Sequence, residues 1–269
     1  MSLCACGDLG RTGIRRSVCA LSLLVQIRPE SPLVHSPAVD STSTEYYLRC
    51  MDIGERARMY AALGEPVRLA MVDDLAVSDR APTELAERHG LASNLLAHHL
   101  DVLEEAGLIE RSRSSGDGRR RYVRLRHEVL DMLGVGVEVP DGPVVFVCTH
   151  NSDRSQMAAA VWSATRPTPA LSAGTHPAQR VHPGAVAAAA RAGYDLSEAV
   201  PRSIGDVAVK GSMVVTVCDR AHEELEPGAG WLHWSIPDPV ERALPDAFDT
   251  ALTELEARIK TLTGGPHRD

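Results

Sequence analysis

Residues 143–162 read PVVFVCTHNSDRSQMAAAVW. The run up to Cys148 is continuously apolar and β-branched, the pattern of a parallel strand buried on both faces. Polar residues follow from Thr149 to Asp153, and the apolar spacing then turns helical from Ser155 onward. A strand, a tight loop and a helix in that order aim the loop's backbone amides and the positive helix end at one point, which is a cradle for a tetrahedral oxyanion. Arg154 adds a planar fork able to hold two oxygens. The thiol of Cys148 stands at the mouth of this loop. The surrounding dipoles predict a thiolate near neutral pH, and a thiolate facing a captive anion is a nucleophile aimed at its central atom. Thr149, His150, Asn151, Ser152, Asp153 and Ser155 are the candidate oxyanion-binding residues, with Ser155 also able to stabilise the thiolate. A carboxylate at Asp153 repels an anion unless its side chain points out and only its amide points in.

Downstream the alternation continues. ALSAGT (170–175) reads as a short strand, HPGAVAAAARAG (182–193) as an Ala-rich helix stopped by Gly193, and SMVVTVC (212–218) as a third strand. WLHWSIPDP (231–239) reads as a fourth strand, and DAFDTALTELEARIKTLT (246–263) as a closing amphipathic helix. The expected fold over 142–264 is therefore α/β, with a four-stranded parallel sheet, helices on both faces and the chemistry beyond the carboxyl ends of the strands. Cys218 ends the third strand and is expected on the same rim as Cys148. Its other reading is an inert buried strand residue. Asp238, in IPDP, reads on its own as a turn aspartate before proline.

Upstream, the spacing predicts a different unit over 51–127. ERARMYAALGEPVRLAMVDDLAV (55–77) breaks at Gly-Glu-Pro into a pair of helices. APTELAERHG (81–90) is a short helix with Thr83 as the expected N-cap and Gly90 as its stop. In LASNLLAHHLDVLEEAGLIERS (91–112), Leu96, Leu100 and Leu103 share one stripe and Gly107 ends the helix. Short helix, turn, helix is a helix-turn-helix. LIERSRSSGDGRRRYVRLR (108–126) then reads as a hairpin around Ser-Gly-Asp-Gly, crowded with arginines and opposed only by Glu110 and Asp117. Such a basic ribbon beside a helix-turn-helix is an electrostatic footprint for a phosphate backbone.

The 269-residue chain is 44% hydrophobic and only 4% aromatic, so its cores are built from Ala, Val and Leu. A formal net charge of −8 argues against nonspecific nucleic-acid binding by the whole surface but leaves room for a local basic patch. No apolar stretch is long enough to span a bilayer, so no membrane partner is expected. The 6 cysteines form neither a CxxC pair nor a disulfide framework, which points to a reducing cytoplasm. Residues 1–50 are read as a disordered leader, 128–141 as a linker with the hinge GVGVEVPDG, and 265–269 as a tail. RRSVCALSLLVQI resembles a signal sequence without a clear cleavage site. Cys4 and Cys6 lack further soft ligands, so no metal is expected.

Two resemblances add to this reading. ELAERHGLASNLLAHHLDVLEEAGLIERSRSSGDGRRRYVRL (84–125) resembles the ArsR family of winged-helix repressors. That implies a homodimer on an inverted-repeat operator in double-stranded DNA. Ser93, Asn94, Leu95 and His98 would face the major groove, with Arg119, Arg120 and Arg121 of the wing on flanking phosphate or minor groove. The helix that often carries the sensing cysteine pair is here PTELAERH, without cysteine. CTHNSDRSQMA (148–158), with SAGTHP, VVTVCD and PDP, resembles the arsenate reductases built on the low-molecular-weight tyrosine phosphatase fold. This implies Cys148 as nucleophile, Arg154 as anion clamp, Asp238 as general acid and Asn151 as a residue that shapes the loop. Cys218 would be the second thiol that releases arsenite as a disulfide forms. The third cysteine of thioredoxin-coupled relatives is missing from DRAHEELEP. No bound cofactor is implied, only an external thiol reductant: thioredoxin, glutaredoxin with glutathione, or mycothiol. The alternative is a phosphatase for phosphotyrosine or small phosphoesters with a DNA-binding targeting domain. Val240, where phosphatases often place an aromatic, counts mildly against it. A third reading is a pure regulator that binds the oxyanion only as an effector.

Overall fold

A computed structural model describes residues 52–126, 142–227, 230–242 and 244–263. The leader, the linker with its hinge and the tail fall outside the described residues.

The amino-terminal elements are α1 (Ile53–Leu63), α2 (Pro66–Val77), α3 (Pro82–His89) and α4 (Ser93–Glu105), then strands β1 (Ile109–Arg113) and β2 (Arg121–Leu125). The Gly-Glu-Pro break works as its chemistry demands. Gly64 closes α1, the Glu65 carboxylate caps α2 by accepting from the Arg68 amide (2.9 Å), and Pro66 opens the helix where no amide is needed. Helix α3 begins one residue before the expected cap. Ala81 is the N-cap rather than Thr83, because Pro82 takes the first helical position and the Glu84 carboxylate accepts from the Ala81 amide (2.9 Å). Leu96, Leu100 and Leu103 of α4 are buried with Met71, Val72, Leu75 and Leu85 in one core. β1 and β2 pair antiparallel from Ile109↔Leu125 to Arg113↔Arg121. The ribbon is less basic than its sequence implies: Arg111 is held by Asp101 (2.6 Å) and Glu104, and Arg124 by Glu110 and Glu254. Arg119, Arg120 and Arg121 stay exposed.

The second region runs β3 (Val144–Cys148), α5 (Arg154–Thr165), β4 (Ala170–Gly174), α6 (Pro183–Arg191), a 3-10 turn (Ile204–Asp206), β5 (Met213–Thr216), α7 (Asp219–Leu225), β6 (Leu232–His233), α8 (Pro239–Arg242) and α9 (Ala247–Thr263). The sheet is parallel with order β4-β3-β5-β6. Every residue of β3 is fully buried, so both faces of this strand are covered, as its unbroken apolar run requires. Two expectations need correction. Strand β5 stops at Thr216, and Cys218 is instead the N-cap of α7, its sulfur accepting from the Ala221 amide (3.4 Å). The fourth strand is short, Leu232–His233, because the Ile236 amide turns back to the Trp234 carbonyl (2.8 Å) and Pro237 and Pro239 follow; its outer edge is taken by the amino-terminal region. His233 gives its carbonyl to the Asp79 amide (2.7 Å), and its amide donates to the Ser78 hydroxyl (2.9 Å).

That edge is part of a polar seam within one compact unit. The Trp234 indole donates to the Val77 carbonyl (3.0 Å), and the Asp79 carboxylate accepts from the Ser235 amide (2.6 Å) and from Arg258 of α9 (2.9 Å). Covering a sheet edge in this way removes a row of unpaired backbone groups.

Candidate active site

The loop from Cys148 to Asp153 is held from behind through its carbonyls. Those of Cys148, Thr149, His150 and Ser152 accept from the amides of Thr175, His176, Ala178 and His182 (3.2, 2.8, 2.9 and 2.8 Å). The carbonyl of Asn151 accepts from the Gln156 side chain (3.2 Å). With its carbonyls turned outward the loop turns amides inward, and the Asn151 amide points at the Cys148 sulfur (3.2 Å). Gly174 permits this approach: a Cβ there would lie 2.8 Å from the Thr149 carbonyl oxygen and 2.9 Å from the Asn151 nitrogen. Asn151 takes the left-handed conformation at φ 49°, which an asparagine tolerates. Its side chain donates to the Ser155 hydroxyl (2.8 Å) and accepts from the Arg202 amide (2.8 Å). Ser155 therefore receives one hydrogen bond and keeps its own proton for the Cys148 sulfur, 3.0 Å away.

Arg154 opens α5 with its guanidinium buried. One nitrogen donates to the Ile236 carbonyl (3.0 Å) and another to Asp238 (2.6 Å). The other oxygen of Asp238 accepts from the amides of Val240 and Glu241 (2.9 and 3.3 Å). The guanidinium that would clamp an oxyanion is thus already occupied by Asp238 and the Ile236 carbonyl.

Asp153 departs from expectation. Its side chain is buried and turned inward, accepting from the Arg154 amide (2.5 Å) and lying 4.0 Å from the Cys148 sulfur. Burial first, and the Asp153 charge second, push the Cys148 thiol up to about 11, against the lowering effects of Arg154 and Ser155. The thiolate expected from the loop dipoles is therefore opposed by desolvation and by a carboxylate that sequence spacing could not orient. Asp153→Asn removes the repelling charge but keeps an oxygen for the Arg154 amide. Its expected effect is to lower the Cys148 pKa by about one pH unit. A pH titration of thiolate ultraviolet absorbance, with Cys148→Ser protein as blank, checks this; an unmoved or raised midpoint refutes it.

The structure brings Cys148, Asn151, Asp153, Arg154, Ser155 and Asp238 together. Thr149 is directed elsewhere, with its hydroxyl 3.4 Å from the Cys218 sulfur. The His150 side chain is exposed, so its part in the loop is played by its backbone. Cys218 is buried beside the loop, where the Val217 amide donates to the Val147 carbonyl (2.7 Å). A cleft of about 670 Å³ opens over the loop, lined by Asp153, Asp238 and Val240 together with Arg180, His182 and Arg220. These last three, and the loop supports Gln156 and Arg202, were not legible as site residues. In the amino-terminal region, Ser93, Asn94, Leu95 and His98 are exposed on the first turns of α4, whereas His99 is buried.

Residues 143–267 match the family described as low molecular weight phosphotyrosine protein phosphatase, and residues 63–112 match a helix-turn-helix domain. The chain is similar to an arsenate reductase of Brevibacillus brevis, 35% identical over 129 residues that cover 44% of this chain and 90% of the relative. It is also similar to arsenate reductase 1 of Bacillus cereus, 33% identical over 129 residues with the same coverage, 44% and 90%. Among solved structures, that of an arsenate reductase from Archaeoglobus fulgidus shares 30% identity at a TM-score of 0.39, covering 45% of this chain and 98% of that one. Through residues 143–267 the chain belongs to the low molecular weight phosphotyrosine protein phosphatase family, with a helix-turn-helix domain ahead of that region.

Proposed function

We propose that the protein is a bifunctional arsenic-resistance factor, an ArsR-like DNA-binding regulator fused to a thiol-dependent arsenate reductase of the cytoplasm. The observation that carries the enzymatic half is the second thiol. Cys218 lies buried beside the Cys148 loop, within reach of Thr149 at 3.4 Å. A phosphatase discharges its covalent intermediate with water and has no task for a sulfur there. In the proposed cycle, hydrogen arsenate held by the loop amides and Arg154 displaces the Asp238 carboxylate, which takes the Cys148 proton, and the resulting thiolate attacks arsenic. Asp238 passes that proton to the arsenic-bound hydroxyl, which leaves as water. Cys218 then attacks the Cys148 sulfur. The sulfur–arsenic electron pair goes to arsenic, arsenite leaves, and a Cys148–Cys218 disulfide remains. The balance is one arsenate and two thiols giving one arsenite, one disulfide and one water. An external thiol system (thioredoxin, glutaredoxin with glutathione, or mycothiol) reopens the disulfide.

Cys218→Ser tests the assignment. Arsenite formation is expected to fall at least about a hundredfold, with para-nitrophenyl phosphate hydrolysis retained within about threefold, since only the reduction needs a second sulfur. Equal survival of both activities removes Cys218 from the chemistry and leaves the phosphatase reading.

The regulatory half rests on the exposed face of α4 and on the exposed Arg119, Arg120 and Arg121 of the wing. A homodimer would place two such helices on the half-sites of an inverted repeat. Alanine at Arg119, Arg120 and Arg121 together is expected to weaken binding to a duplex spanning the protein's own upstream promoter. The slope of log affinity against log salt should shrink by about 3. An unchanged slope in fluorescence anisotropy moves the phosphate-binding surface elsewhere.

A further inference from the structure

The turn between β1 and β2 is fastened on one side, through Ser114 to Asp117, while Arg119 and Arg120 stay exposed. It lies against α7, the helix that begins directly after Cys218. The Ser115 amide donates to Asp219 (2.7 Å). The Ser114 hydroxyl and the Asp117 amide donate to the two oxygens of Glu223 (2.6 Å each), and the Tyr122 hydroxyl adds a bond to Glu223 (3.2 Å). Gly116 passes so close that a Cβ would lie 2.9 Å from Arg220 Cα and 2.5 Å from Glu223 Oε2. Asp219 is buried, and its second oxygen meets His233 Nε2 (3.1 Å). His233 in turn stacks on His222 with ring centres 4.0 Å apart. Two carboxylates of one helix thus hold the turn's amides and hydroxyl, donors of the kind that a nucleic-acid phosphate would take.

The same helix is anchored to the reactive end of the site. The Cys218 sulfur accepts from the Ala221 amide (3.4 Å), capping α7, while facing Thr149 of the Cys148 loop. A sulfur joined to Cys148 must turn toward it and give up that cap, and Asp219 is the next residue along the chain. A displacement at Cys218 therefore reaches the carboxylates that hold the wing through one short, continuous element.

We propose that the phosphatase-family domain is the sensor of the DNA-binding domain: closure of the Cys148–Cys218 disulfide shifts α7 and releases the wing turn from Asp219 and Glu223. This rests on the reading of Cys218 as the thiol that resolves the Cys148–arsenic adduct. Arsenate is the oxidant, taking two electrons from the two thiols and leaving as arsenite with one water. The switch accounts for regulation in a chain whose α3 carries no sensing cysteines, and by linkage any ligand that binds only the released wing favours the disulfide in return.

The test is hydrogen–deuterium exchange of the full chain, read on peptides covering residues 114–121. In the reduced protein the amides of Ser115 and Asp117 are expected to be protected. After arsenate closes the disulfide, confirmed by the mass loss of two hydrogens, they exchange at least about tenfold faster. A closed disulfide with unchanged protection overturns the proposal. If arsenate closes no disulfide but diamide does and the wing is released, the reductase reading fails while the coupling stands. If neither oxidant closes it, the coupling falls too. Gly116→Val serves as the unlatched reference. It should exchange fast in both redox states while para-nitrophenyl phosphate hydrolysis continues, and full protection in reduced Gly116→Val would show that α7 does not hold the turn.

Discussion

Arsenite production by Cys148→Ser protein falls to the uncatalysed background, a loss of at least about a thousandfold. The reason is electronic before it is geometric. Reduction of arsenate takes two electrons from sulfur, and a serine oxygen neither displaces the arsenic-bound oxygen at this site nor leaves as part of a disulfide. The exchange is small in volume. It places a hydroxyl between the Asn151 amide and the Ser155 hydroxyl, groups already paired with the sulfur at 3.2 and 3.0 Å. The fold should therefore persist, and thermal melting separates lost chemistry from lost structure. Para-nitrophenyl phosphate hydrolysis is expected to disappear with arsenate reduction because both begin with the same attack. Retention of either activity in a folded Cys148→Ser protein places the nucleophile elsewhere.

The second large effect is on stability. Arg258→Ala is expected to cost about 3–5 kcal/mol in urea unfolding, a sizeable part of the margin of a typical domain. Arg258 on α9 reaches Asp79 at 2.9 Å and Glu254 at 3.0 Å, with its guanidinium 5.8 Å from the Trp234 ring. The side chain of Asp79 is wholly buried, so truncating its partner strands a carboxylate away from water. Arg258→Met combined with Asp79→Asn should recover much of the loss, because the amide oxygen still accepts from Ser235 and no bare charge remains. If the double variant is no better than Arg258→Ala, the cost lies in packing on Trp234 rather than in the stranded charge. A loss below about 1 kcal/mol for Arg258→Ala would mean that water reaches this pair.

Much of the architecture could be read from local signals. The buried run to Cys148, the polar loop and the helix after it specify a strand, an anion-binding turn and a helix. Few other structures satisfy that pattern of burial and backbone hydrogen bonding. The stripe of Leu96, Leu100 and Leu103, and the arginine-rich hairpin after Gly107, did the same for the amino-terminal region. Where the reading slipped, a neighbour close in sequence had the stronger chemistry: Pro82 displaced Thr83 as the start of α3, and Cys218 left the strand to cap α7.

The chain pattern alone thus determined the order of strands and helices, the loop and its arginine, and the helix-turn-helix, because each depends on residues within a turn or two of one another. Tertiary structure decided the electrostatics. Arg154 is occupied by Asp238, 84 positions away. Burial and the orientation of Asp153 push the Cys148 thiol up, against the pull of Arg154 and Ser155. The wing is fastened to α7, 104 positions along the chain from Ser115 to Asp219. A charge or a thiol takes its character from what surrounds it and from how much water is excluded. Those surroundings exist only once distant segments have packed together.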